Sequence, residues 1–184
     1  GEYKVSLIAL QTVTITPTDE ELTLVLGAAT SNSDIQVVYI HWGDEYQIKS
    51  NAKQQLLAKR LVELGADLII GHHPHVVQEI GFVDGVPVFY SLGNYIFDQY
   101  FSSEVQEGLV VSFDLEHVPA IYFYGVTSSA TLSQPRRMGR AEEDRLLERI
   151  AKTSDVVVHK YIALGRIPLD IVVATSSKMA IMKP

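Results

Sequence analysis

Four of the six histidines, His41, His72, His73 and His75, fall within one short stretch of the chain. Imidazole nitrogen is a good ligand for zinc, manganese and iron, so clustered histidines point first to a cation site. The segment Gly71-His72-His73-Pro74-His75 sets two imidazoles in an HxH pattern across a proline. Proline disfavours helical backbone in the residue before it, so His73 is expected to be extended. In an extended segment His73 and His75 point to the same side. With His41 they would make a nitrogen-rich site for zinc, manganese or iron. His117 and His159 stand apart and read as ordinary surface or hydrogen-bonded histidines.

Carboxylates and amides lie close by in sequence. In His41-Trp42-Gly43-Asp44-Glu45-Tyr46 the glycine permits a tight turn, through which Glu45 can swing back toward the histidines. Glu45 could orient a ligand imidazole, ligate the metal itself, or serve as a general base. Asp44 reads equally well as a solvated loop carboxylate. Gln78 and Glu79 flank the second histidine loop, and Asp98 is a further carboxylate downstream. In the segment Tyr90–Asp98, Asn94 could donate or accept at the rim of a site, with Ser91 and Gln78 as further rim residues. Ser91 lacks the GxSxG surroundings of a nucleophilic serine.

These residues need elements to hold them. Residues 4–10 and 35–40 read as strands, the second a β-branched run typical of a buried strand. Between them Thr18 and Glu21 form a capping box that opens a helix to about Ala29. A second helix is expected from Asn51 to Leu64, with Leu57, Leu61 and Leu64 on one face and Gly65 as its stop. A third strand covers 67–70. Strands alternating with helices favour a partly parallel sheet covered by helices. In such sheets ligands collect beyond the carboxyl ends of the strands. His41 directly follows one such strand, and His72, His73 and His75 follow the next.

The second half has a different rhythm. Asp84-Gly85 signals a hairpin before a strand at 86–91. Strands at 109–115 and 121–126 follow without helices between them, so this part is expected to be antiparallel. Residues 133–140 read as a polar loop carrying the basic cluster Arg136, Arg137 and Arg140. Residues 141–152 form an amphipathic helix, acidic first and basic last, as the helix dipole favours. Two short strands are expected at 156–158 and 171–173. The pattern divides into residues 1–130 as one domain unit and 131–184 as an extension packed on it.

Composition narrows the function classes. The 184 residues carry formal net charge −7, with 47% hydrophobic and 20% charged residues, an ordinary globular balance. There is no cysteine, which excludes disulfides, thiolate metal sites and cysteine nucleophiles. The acidic balance argues against a nucleic-acid partner. No apolar run reaches the roughly 18 residues of a membrane span, and Gly1-Glu2-Tyr3-Lys4 does not read as a signal peptide.

Three blocks, IHWGDEY (40–46), GADLIIGHHPHVVQ (65–78) and FYSLGNYIFD (89–98), resemble the signature blocks of the bacterial poly-γ-glutamate capsule-synthesis proteins of the CapA type. SQPRRM (133–138) is similar to that family's C-terminal region. The resemblance implies an α/β calcineurin-like metallophosphoesterase sandwich, with mixed sheets and flanking helices, of which this chain is the C-terminal half. It implies His41, His73 and His75 as metal ligands, with Glu45 and His72 as the catalytic candidates. The alternative register, with His72 as the ligand, stays open. It implies divalent metal ions (manganese, zinc or iron), two in the complete domain. The N-terminal aspartates and Asn-His that complete such a site have no match in this chain. The implied partners are poly-γ-glutamate or a phosphoester substrate, other capsule-synthesis membrane proteins and the N-terminal half. The implied location is the outer side of the membrane at the cell surface. Two functions follow: a metal-dependent hydrolase of phosphoester or amide bonds, or a non-catalytic polymer-binding or export subunit.

Overall fold

The computed structural model describes residues 3–115 and 119–169. Five strands form the main sheet: β1 (Val5–Gln11), β2 (Ile35–His41), β3 (Leu68–His72), β4 (Ile80–Val83) and β5 (Val86–Phe89). Their order across the sheet is β1-β2-β3-β5-β4, parallel except for the hairpin partner β4. Helices α1 (Asp19–Asn32) and α2 (Ala52–Glu63) connect the first three strands. Both begin with reciprocal capping boxes, Thr18 with Glu21 and Asn51 with Gln54, which satisfy amide donors that a helix start leaves open. The expected helix at α1 runs three residues beyond Ala29, since Thr30, Ser31 and Asn32 turn their side chains back onto carbonyls one turn earlier.

A second, antiparallel sheet is built from β6 (Glu107–Asp114), β7 (Ala120–Thr127), β8 (Arg136–Arg137) and β9 (Arg166–Pro168). Helices α3 (Arg140–Thr153) and α4 (His159–Leu164) pack beside it. The molecule is thus an α/β fold: a mixed, mainly parallel sheet flanked by helices, plus a small antiparallel sheet. Among the described residues no helix is long and apolar enough to cross a membrane.

The two faces of the main sheet bury two cores. Ile8, Val38, Ile40 and Ile69 point toward α1 and α2, meeting Leu22, Leu26, Ala58 and Leu61. Alternate residues point the other way, as strand pleating requires. Ile35, Val37, Leu68 and Ile70 meet Phe123 of β7, Leu146 and Ile150 of α3, and Ile162 of α4. The 131–169 segment therefore shares a core with the first strands. That second cover stops short of β1. Val5 and Leu7 pair with Ile35 and Val37 yet are 51% and 70% exposed.

Three local expectations are corrected. β2 continues through His41 and β3 through Gly71 and His72, so His41 and His72 end their strands rather than following them. Residues Val156–Val158 form a 3-10 turn rather than a strand. Only Val158 reaches the core there, while Val156 and Val157 stay exposed. The loop at 133–140 contains the two-residue strand β8, which pairs with the end of β7. The strand expected at 171–173 lies outside the described residues, as does His117.

Candidate metal centre

Strand register brings the chemistry together. Gln11, His41 and His72 lie side by side at the carboxyl ends of β1, β2 and β3. Two backbone bonds stitch the following loops to each other, Trp42 N–H to the His72 carbonyl at 3.0 Å and Tyr46 N–H to the Pro74 carbonyl at 2.8 Å. Gly71 permits this closeness. A Cβ there would overlap the Tyr90 carbonyl oxygen and the Trp42 indole nitrogen, which are themselves hydrogen-bonded at 2.8 Å.

His73 and His75 do converge, but not through extended backbone. His73 has φ 102° and His75 φ 61°, and Tyr46 opposite them has φ 62°. Left-handed backbone at non-glycine residues is strained and persists where surrounding bonds over-determine it. Here the Trp42 and Tyr46 amide bonds hold the loops, overriding the extended preference before Pro74.

Glu45, His73 and His75 each offer a ligand atom, and these atoms lie within 4.8 Å of one another. Glu45 Oε1 is 3.9 Å from His75 Nε2. Two ligand atoms on one tetrahedral ion with bonds of about 2.1 Å sit about 3.4 Å apart, so modest side-chain rotation closes the group. The tautomer is set as well. Asn94 Nδ2 donates to the Val105 carbonyl at 2.9 Å, which turns its Oδ1 to His75 Nδ1, also at 2.9 Å. His75 therefore carries its proton on Nδ1 and keeps the Nε2 lone pair toward Glu45. Two imidazoles and a carboxylate with further positions open fit a divalent metal that binds substrate or water.

The other two histidines form an adjoining layer. His41 Nδ1 and His72 Nδ1 are 3.0 Å apart, one donating and one accepting, which requires the accepting ring to be neutral. His72 stacks on Tyr39, and the His41 ring lies 4.4 Å from that of His73. Burial pushes His41, His72 and His73 below the ordinary histidine range, with the neighbouring imidazoles adding to it. His72 falls to about 4. His41 thus abuts the Glu45–His73–His75 group without belonging to it, and His72 is tied to His41.

The remaining candidates fall elsewhere. Ser91 and Gln78 lie beneath the site rather than on its rim, each 1% exposed. Ser91 Oγ accepts from Gly93 N–H, and the Gln78 amide is held between Gln54 and the Gln47 carbonyl. Glu79 is buried and accepts from Ser50, and Asp44 accepts from Asn51 Nδ2. Asp98 is exposed. Asn94 touches His75 directly, so its place is behind a candidate ligand. The basic cluster is engaged: Arg136 grips Glu142, Arg137 lies over Tyr124, and Arg140 faces Asp144.

Two features were not anticipated. An aromatic wall flanks the site, with Phe97 4.7 Å and Tyr46 6.0 Å from His75, and Phe101 edge-on to Tyr46. The aromatic density of residues 95–101 was its available signal. A cleft of about 740 Å³ also opens beside Glu45 and His73, between the segment after β1 and the first turns of α2. Its walls include Leu22, Trp42 and Leu57, with Lys53 and the Asp19–Arg60 pair among its polar residues.

The family model described as bacterial capsule synthesis protein PGA_cap matches residues 8–99, which carry the whole Glu45–His73–His75 group. The chain belongs to this family. It is 41% identical over 97 residues to PGA biosynthesis protein CapA of Bacillus subtilis, covering 52% of this chain and 26% of that protein. It is 47% identical over 79 residues to capsule biosynthesis protein CapA of Bacillus anthracis, covering 43% and 19%. A probable polyglutamine synthesis accessory protein of Mycobacterium tuberculosis is 31% identical over 65 residues, covering 35% and 17%. The match to the two CapA proteins thus spans about a quarter or less of their length. Within the PGA_cap match lie the three sequence blocks, both site loops and Asn94.

Proposed function

We propose that this chain is the metal-binding part of a poly-γ-glutamate capsule-biosynthesis protein and acts as half of a metal-dependent hydrolase site. The observation that carries this reading is the convergence of Glu45, His73 and His75 beyond the parallel strands, with the His75 lone pair aimed at the group. When bound there, manganese, zinc or iron would supply Lewis-acid activation of water and of a phosphoester or amide. The chain's residues hold and orient it. Asn94 sets the His75 tautomer, the His41–His72 pair buttresses His73, and the aromatic wall limits water on one side. The adjoining cleft gives substrate a path to Glu45 and His73.

Three ligands suit one ion, and a calcineurin-like arrangement holds two. We place the missing ligands in the part of the CapA relatives' length that this chain does not match, seated against the uncovered Val5–Leu7 strip of β1. Such a protein would work with membrane-bound capsule machinery at the outer face of the cell. The test is turnover of a chromogenic phosphodiester and of a γ-glutamyl oligomer by this chain with manganese, zinc or iron added. Slow hydrolysis that disappears in His75→Ala is expected. Rapid turnover by this chain alone would contradict the half-site, and equal turnover in His75→Ala would sink the hydrolase reading.

A further inference from the structure

Away from the histidines, a cavity of about 320 Å³ lies between β6, β7 and α3. Arg145 and Arg149, one helical turn apart on α3, line it together with Glu107, Thr127 and Ser129. Arg149 meets Glu107 Oε2 through Nη1 at 2.6 Å. Its Nε and Nη2, like Glu107 Oε2 itself, are buried and have no hydrogen-bond partner among the described residues. Arg145 is exposed at the mouth and makes no ion pair there among the described residues.

A buried guanidinium donor without an acceptor is costly, so its orientation calls for a reason. Nε and Nη2 form the edge of arginine that grips a carboxylate with two parallel bonds. Arg60 shows this edge at work on Asp19, with Nε–Oδ1 2.6 Å and Nη2–Oδ2 2.7 Å. In Arg149 the same edge has no acceptor, and Glu107 Oε2 faces only the far nitrogen, Nη1, as an ion pair. Glu142, the other carboxylate on the cavity wall, is already gripped by both Nη atoms of Arg136. The cavity therefore presents a two-donor fork, a second cation and hydroxyl groups, a set that suits an oxyanion.

The cavity is linked to the candidate metal centre through one residue. Asn94 accepts from His75 through Oδ1, and its own N–H donates to the Glu107 carbonyl at 3.2 Å. Glu107 in turn holds Arg149.

We propose that this cavity is a carboxylate-binding subsite, in which the Nε–Nη2 edge of Arg149, helped by Arg145, grips a pendant carboxylate of a γ-linked glutamyl chain. The identity of the chain rests on the capsule reading; the oxyanion chemistry rests on the arginines alone. A glutamyl polymer carries one carboxylate per residue, so a subsite joined to the metal group through Asn94 would set where along the chain the site acts.

The test is calorimetric titration of the 184-residue chain with a short γ-linked glutamate oligomer and, separately, with inorganic phosphate. Metal affinity is measured in the same samples. Arg149→Lys keeps the charge but loses the fork, and Arg145→Gln alters only an exposed side chain. Expected is oligomer binding that weakens about tenfold in Arg149→Lys, the scale of one lost charge-assisted bond, and several-fold in Arg145→Gln, with metal affinity unchanged. Phosphate binding without oligomer binding, lost in the same variants, would overturn the polymer assignment. Oligomer binding equal in wild type and both variants, or no binding of either probe, would overturn the subsite. Loss of metal binding in the wild type would instead count against the capsule-site reading.

Discussion

His75 donates from Nδ1 to Asn94 Oδ1 at 2.9 Å, while the Asn94 amide nitrogen is anchored on the Val105 carbonyl. A residue that looked like a rim contact thus sets the tautomer of a candidate ligand. Its replacement should act through the metal. Asn94→Ala is expected to weaken metal affinity about 10–100-fold, as the loss of an outer-shell partner does. Calorimetric titration with zinc or manganese measures it. Unchanged affinity would mean that His75 does not depend on Asn94.

The four clustered histidines should not be equivalent. His73→Ala is expected to abolish binding of the metal held by this chain. His41→Ala should lower affinity by a smaller factor, because His41 contacts the His73 ring and bonds to His72 without joining the three-ligand group. Competition against a chromogenic chelator ranks the variants. Equal loss in both would place His41 among the ligands of this chain.

Acid should destabilise the metal-free chain. Burial lowers His72 from its ordinary 6.5 to about 4, and His41 and His73 shift in the same direction. Between those values the unfolded chain binds protons that the folded chain refuses, so stability rises with pH. It is fully present above about pH 6.5 and is lost as pH falls toward about 4. Urea midpoints followed by fluorescence of the single tryptophan, Trp42, at several pH values measure the slope. His72→Gln should flatten it. A slope unchanged by that replacement would contradict the assignment.

Close approach at β3 has its own consequence. Gly71→Ala would force a methyl group into the Tyr90 carbonyl and the Trp42 indole. A loss of about 3 kcal/mol in stability is expected, the upper range for overpacking a core. The change also separates the two site loops, so metal affinity should fall with it. Wild-type stability in this variant would show that the strands part without cost.

Much of the fold was legible in the sequence. The Thr18–Glu21 box, the β-branched run at 35–40 and the Asp84-Gly85 turn each carry a local signal, and each lies in the element expected. The placing of His41 and His73 at strand ends followed from the alternation of strands and helices. What was not legible depended on long-range partners. The strained backbone of His73 is held by amides of Trp42 and Tyr46 across the sheet, which no local preference encodes. Gln78 and Ser91 looked polar enough for a rim, yet their partners Gln54 and Gly93 draw them inward. Val156–Val158 has a strand's composition, but the core has room there for Val158 alone. The Arg149 fork was hidden in an ordinary amphipathic helix, because its meaning lies in Glu107 on another element.

The most direct test is the metal content of the chain after dialysis against zinc, manganese or iron, measured by elemental analysis beside the double variant His73→Ala, His75→Ala. About one metal ion per wild-type chain and none in the variant is the expected result. Equal content in the two proteins, or none in either, would contradict the site built from Glu45, His73 and His75.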